Sequence, residues 1–197
     1  HSTSRRQRQM CIRDRDTDMS RFSMRTLMGT PSMKVIADHG VQEAPYTHRR
    51  YQSINTEILG QIIKNATGRS LAEYMEEKLW KRIGAEQDAY WTLSNGTELA
   101  MGGLSVSLRD YARFARLYLN GGSFHGEQIL TKEWVRDSMD VSAAYSRPGA
   151  NQDVYNAIGY GYQWWVPEGD RGEFMAIGVY GQWMLSLIHI SEPTRLG

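Results

Sequence analysis

Tyr51-Gln52-Ser53-Ile54-Asn55-Thr56-Glu57-Ile58-Leu59-Gly60, running on to Ala66-Thr67-Gly68, is the stretch on which the reading of the fold turns. Ile54, Ile58, Leu59, Ile62, Ile63 and Ala66 recur at helical spacing, and Gly68 stands where a helix stop belongs. Tyr51 begins this amphipathic helix. Ser53 can cap its free amides, a role compatible with binding a ligand through the same short hydroxyl.

Downstream the helical signals continue. Ser70-Leu71-Ala72-Glu73 reads as a capping box, with Leu71, Tyr74, Met75, Lys78 and Leu79 carrying a second helix toward Gly84. Ser107 and Asp110 open a third helix, with Leu108, Tyr111, Ala112, Ala115, Tyr118 and Leu119 expected inward and Arg109, Arg113 and Arg116 outward. Asn120-Gly121-Gly122 ends it, and Thr131 caps a fourth helix carrying Trp134, Val135 and Met139. The period then changes. Tyr160, Tyr162, Trp164 and Val166 alternate with Gly161, Gln163 and Trp165, which predicts one strand. Pro167-Glu168-Gly169-Asp170 reads as a turn, and Phe174 to Gln182 as a second, antiparallel strand. Helices followed by strands make an α+β chain.

Composition narrows the function classes. The 197 residues are 41% hydrophobic with no apolar run long enough for a membrane span, and a net charge of +1 gives no pull toward nucleic acid. The single cysteine, Cys11, excludes an intrachain disulfide framework. His39, His48 and His125 have no metal-ligand spacing, so no metal is expected. Ser123 fails the G-x-S-x-G pattern. Asn65-Ala66-Thr67 and Asn95-Gly96-Thr97 match glycosylation sequons and are read as chance.

The ends differ from the middle. Residues 1–15 carry five arginines against one aspartate, and Leu185 to Gly197 closes in a polar tail. A basic arm of this kind suggests nucleic-acid contacts. However, Met10-Cys11-Ile12-Arg13-Asp14-Arg15 and the run beginning Leu185-Ser186-Leu187-Ile188 look like translated sequencing-adapter read-through. The expected division is therefore 1–15 and 184–197 as non-native read-through, and 16–183 as the biological segment.

Within that segment several stretches together resemble one family, the serine β-lactamase-related hydrolases. Tyr51 to Gly60 with Ala66-Thr67-Gly68 looks like its tyrosine-motif helix, and Leu79-Trp80, Gly84 and Asp88-Ala89-Tyr90-Trp91 continue the pattern. Gly102-Gly103-Leu104, with Arg109-Asp110-Tyr111-Ala112-Arg113-Phe114, resembles the helix that follows; Gly159 to Trp165 and Gly178 to Gln182 resemble its late strands. The matches cover most of residues 50–183. The subgroup they are most similar to is the class C-type esterases and 6-aminohexanoate-oligomer amide hydrolases. The implied fold is a partial β-lactamase/transpeptidase fold, comprising the helical subdomain and late antiparallel strands.

The resemblance implies acyl transfer through a serine ester, without a cofactor, on a small-molecule ester or amide. The serine and lysine of an S-x-x-K motif lie one helical turn apart, which suits proton transfer between them. A phenol relays the proton to the leaving group, and a strand amide stabilises the oxyanion. Carried across, Tyr51 matches the phenol, Ser53 and Asn55 the binding positions beside it, and Tyr180, Gly181 and Gln182 the strand region lining the site. One departure stands out. The residues three before Lys34, Lys64, Lys78, Lys81 and Lys132 are Pro31, Gln61, Met75, Lys78 and Ile129, so the chain contains no S-x-x-K. The chain alone is therefore expected to be inactive. Two alternatives within reach of the same residues are a β-lactamase or penicillin-binding D-alanyl-D-alanine peptidase, and a catalytically silent binding or sensor paralogue.

Overall fold

The computed structural model describes residues 24–25, 28–39, 44, 46–49, 51–150, 157–169, 171–178 and 181–186. The chain divides into two compact units, His1–Arg113 and Phe114–Gly197.

The first unit is built on two packed helices, α1 (Ser32–His39) and α2 (Ser53–Thr67). Val35 and Ile54 are fully buried between them, with Ile36 and Met101 packed alongside. Gly68 ends α2 in the left-handed conformation at φ 67° and returns its N–H to the Lys64 carbonyl, as its position in the sequence predicts. The expected capping box opens α3 (Leu71–Met75), where the Ser70 hydroxyl accepts the Glu73 N–H and the Glu73 carboxylate accepts the Ser70 N–H. The second helix does not stay α-helical toward Gly84. Over Glu76–Trp80 it widens, with the Lys81 N–H donating to the Glu76 carbonyl across five residues at 3.1 Å. Four short strands follow: β1 (Tyr90–Trp91), β2 (Leu93–Ser94), β3 (Thr97–Glu98) and β4 (Leu104–Ser105), with β1 paired to β4 and β2 to β3.

The helix α4 (Leu108–Leu119) contains the division between the units. Its inward stripe agrees with the expected one at Tyr118, which is buried, and differs elsewhere: Leu108 is 83% exposed and Leu119 is exposed, whereas Asp110 and Leu117 are buried. The cause is an anchor at its first turn. Asp110 accepts the Glu86 and Gln87 amides and the Ser107 hydroxyl, and that pairing fixes the side of the helix that faces inward at its first turn. Arg113, expected outward, is drawn in to the same carboxylate at 2.8 Å.

The second unit carries the hairpin β5–β6 (Ser123–Phe124, Glu127–Gln128), helix α5 (Lys132–Met139) capped by the Thr131 hydroxyl, and a four-stranded antiparallel sheet. The sheet order is β10-β9-β8-β7, comprising Trp183–Ser186, Phe174–Ile177, Trp165–Pro167 and Ile158–Tyr160. The single strand expected over 160–166 is instead a hairpin. Gln163 adopts φ 67°, and the Gly161 N–H bonds the Trp164 carbonyl, so the chain reverses between β7 and β8. The following strand also stops early, at Ile177, because the Gly178 N–H closes onto the Gln182 carbonyl at 2.7 Å. The antiparallel pairing expected beyond Pro167 is present; Asp170, the last residue of the expected turn, lies outside the described residues. Trp164 sits at the centre of the core, against Phe114, Tyr118 and Phe174 with ring centroids 4.6–6.1 Å away. Helices and antiparallel strands together give the expected α+β chain.

Candidate active site

The N-terminal end of α2 positions Tyr51, Ser53 and Asn55. Gln52, at φ −147° and ψ 116°, is the extended residue before the helix, and its carbonyl takes the Asn55 N–H at 3.1 Å. Tyr51 therefore stands just outside the helix and is 44% exposed, an orientation open to a ligand. Ser53 is the first helical residue rather than the N-cap, so the capping role proposed for it in the sequence is not realised. Ser53 and Asn55 are both half-buried in the first turn. These three residues are brought together by the helix start alone.

Between Tyr51 and Ser53, Gln52 is 5% exposed, and among the described residues neither Oε1 nor Nε2 makes a hydrogen bond. A buried carboxamide without partners is a local free-energy cost. Sequence reasoning passed over this residue because a glutamine at a helix boundary is ordinarily solvated.

Glu57 was also missed. It lies one turn beyond Ser53, is 1% exposed, and accepts the Ala100 N–H at 2.9 Å. Leu99 is held at the same place, its carbonyl taking the Trp91 indole N–H at 2.7 Å. The turn that follows reaches Gly103, at φ 81°, whose carbonyl accepts both the Thr92 N–H and hydroxyl. A Cβ on Gly103 would come within 2.6 Å of Thr92. Gly103 is thus required by packing against Thr92 and by its positive φ, without a chemical role, whereas nothing lies within 4 Å of a Cβ on Gly102. A buried acidic side chain facing a backbone amide leaves no sequence signature, since Glu57 occupies a position that helical periodicity reads as surface.

At the other candidate position, Gly181 and Gln182 are exposed in the connection between β9 and β10, with Gly181 at φ 78°. They lie in a turn, not along a strand, because the ladder ends at the Ile177–Trp183 pair. Tyr180 lies outside the described residues. Tyr51, Ser53 and Asn55 belong to the first unit, and Gly181 and Gln182 to the second.

A connected electrostatic cluster lies elsewhere in the first unit, at Asp110 and Arg113. Burial pushes the Asp110 carboxyl up, but hydrogen bonds from the Ser107 hydroxyl, the Glu86 and Gln87 amides and the Arg113 guanidinium outweigh it and hold the group below the usual carboxylate range. Arg113 in turn is pushed above its ordinary value, chiefly by its bond to Glu86. Every member already has a protein partner, so this cluster holds the first unit together and offers no vacant group for chemistry. No helix among the described residues is long and apolar enough to cross a membrane.

Comparison with known proteins agrees with this architecture. The Beta-lactamase family matches residues 13–187. A curated relative, the 6-aminohexanoate-dimer hydrolase of Paenarthrobacter ureafaciens, is 33% identical over 138 residues, covering 68% of this chain and 34% of its own length. A solved structure of a Bacillus anthracis protein carrying the 6-aminohexanoate-dimer hydrolase name superposes with a TM-score of 0.68 at 34% identity, covering 78% of this chain and 39% of that one. A penicillin binding protein from Bacillus halodurans shares the fold, with a TM-score of 0.54 at 14% identity over 73% of this chain and 48% of its own. The chain spans between a third and a half of the length of these proteins. The α+β architecture is accordingly the β-lactamase/transpeptidase-like fold in part, and the chain belongs to the Beta-lactamase family.

Proposed function

We propose that this chain is part of a serine hydrolase that cleaves a small linear amide or ester through an acyl-enzyme, with Tyr51 as its proton-relaying phenol. The observation that carries the reading is the exposed Tyr51 at the start of α2, with Ser53 and Asn55 in the turn behind it, in a chain of this family. The relatives named for 6-aminohexanoate-dimer hydrolysis favour an amide between short aliphatic units as substrate.

In the proposed reaction a serine Oγ bonds the substrate carbonyl carbon while its proton passes to a lysine. The carbon–nitrogen or carbon–oxygen bond then breaks as Tyr51 delivers a proton to the leaving atom, and water hydrolyses the ester that remains. Ser53 and Asn55 bind the lysine or the substrate, and Tyr180, Gly181 and Gln182 serve the strand side of the site. The serine and lysine are not in this sequence, which has no S-x-x-K, so the 197-residue chain by itself is inactive. The same reading takes 16–183 as the native segment and 1–15 and 184–197 as read-through, although Met184 to Ser186 pair with β9 and the family match runs over 13–187.

The test has two arms. The purified chain is expected to leave p-nitrophenyl acetate and nitrocefin intact; turnover that survives purification to homogeneity and Tyr51→Phe overturns the assignment. In the longer protein recovered upstream of residue 16, an S-x-x-K is expected, and Tyr51→Phe lowers kcat by about 10²–10⁴-fold on the linear dimer. Covalent labelling by a fluorescent penicillin without dimer turnover assigns the protein to the peptidases instead, and an upstream segment lacking the motif makes it a silent paralogue.

A further inference from the structure

The hairpin β2–β3 turns on Asn95-Gly96, both exposed and both at positive φ, 51° and 74°. A two-residue loop of this kind suits the twist of the strands, and Asn-Gly is its preferred sequence. A second Asn-Gly pair, Asn120-Gly121, follows α4. The two pairs are alike in sequence and differ in what their backbones do. The Gly121 N–H donates to the Tyr118 carbonyl at 3.0 Å, and the Asn120 N–H and carbonyl are bonded to Arg116 and Ser123. Gly122, next in line, packs so tightly that a Cβ there would meet the Leu130 carbonyl oxygen at 2.2 Å. Gly96, in contrast, has no hydrogen bond from its N–H among the described residues; the space beside the two successor glycines is alike, with nothing within 4 Å of a Cβ on either Gly96 or Gly121.

We propose that Asn95 is a site of spontaneous deamidation, selected over Asn120 by the structure. The deprotonated Gly96 nitrogen attacks Asn95 Cγ; the new C–N bond closes a five-membered imide as the Cγ–Nδ2 bond breaks and ammonia leaves. Water then opens either imide carbonyl, giving aspartate or isoaspartate. The attack needs a nitrogen free of other bonds and an unhindered successor residue; Gly96 meets both conditions and Gly121 only the second. At Gly121 the nitrogen is engaged, so reaction requires that turn to open first.

The change has a structural cost. Isoaspartate lengthens the main chain at residue 95, and a two-residue loop has no slack for it. The register it sets places Thr97 within 3.4 Å of the Lys64 ammonium and presents Glu98, 6% exposed, to the Ala72 N–H at the start of α3. Loss of the turn loosens both ties.

The 197-residue chain is incubated at mildly alkaline pH and mapped by mass spectrometry after trypsin, which separates the two pairs into peptides 83–109 and 117–132. Peptide 83–109 is expected to convert at least about fivefold faster in the native chain, and the two rates to converge in urea. Asn95→Gly, which keeps a loop compatible with the hairpin, is expected to abolish both the conversion and the age-dependent fall in melting temperature. Equal rates in the native chain, or faster conversion of 117–132, overturn the proposal.

Discussion

A Cβ placed on Gly60 would lie 2.4 Å from the Cβ of Ala100 and 3.1 Å from Leu71 Cδ1. Helix α2 therefore meets the segment 99–101 at backbone distance, and the Glu57–Ala100 bond is made possible by that approach. Gly60→Ala is expected to destabilise the chain by about 1–3 kcal/mol through overpacking, against a gain in helix propensity of about 1 kcal/mol. Urea unfolding measures the difference. The double variant Gly60→Ala with Ala100→Gly is expected to recover most of the loss, and an additive result would show the contact to be unimportant.

Gln52 makes the opposite prediction. Replacing its buried, unbonded carboxamide with the similarly sized Met removes a desolvation penalty of about 1–3 kcal/mol. Gln52→Met is expected to raise the urea midpoint by the equivalent of about 1 kcal/mol, without changing the slope of the transition. A lower midpoint would mean that the amide is bonded in solution.

Asp110 sets an acid limit on stability. Its carboxyl is held low in the folded chain, so its contribution is fully present above the unfolded value and is lost as pH falls through the folded one. Stability is therefore expected to drop below about pH 4. Asp110→Asn lowers stability at neutral pH and flattens that acid limb. Urea midpoints at about pH 7, 5 and 3 test the sign, and an unchanged acid slope in the variant would contradict it.

Trp164 is the corresponding point in the second unit. It is 4% exposed and contacts three aromatic rings. Trp164→Ala is expected to cost about 3–5 kcal/mol. Loss of the near-ultraviolet aromatic signal together with the sheet signal is the readout.

What could be read from the sequence was local. Ser70 with Glu73, Thr131 and Gly68 act within a few residues of themselves, and each does in the fold what its neighbours predict. The elements misread were those decided from a distance. The side of α4 that faces inward at its first turn is fixed by Asp110 reaching back more than twenty residues to Glu86 and Gln87, which no periodicity of its own residues records. The alternation from Tyr160 to Val166 fits a strand equally well whether or not Gln163 turns left-handed in its middle. At the candidate site, the pattern places Tyr51 at the first position of the helix, whereas the helix starts at Ser53 and Tyr51 stands two residues before it; Glu57 and Gln52 acquire their character only from burial, for Glu57 through its bond to Ala100.

The widened stretch Glu76–Trp80 has an implication for how this family member tolerates length change. A wide turn accommodates one residue beyond what an α-helical path over the same rise would need. Leu71 on one side of it and Ile83 on the other are both buried, so the surplus residue is absorbed without rotating either out of the core. The chain thus holds a spare residue between two anchored ends. Single-residue deletions confined to Glu76–Lys78, all exposed, have a geometric means of being accommodated that deletions elsewhere in the same helical segment lack.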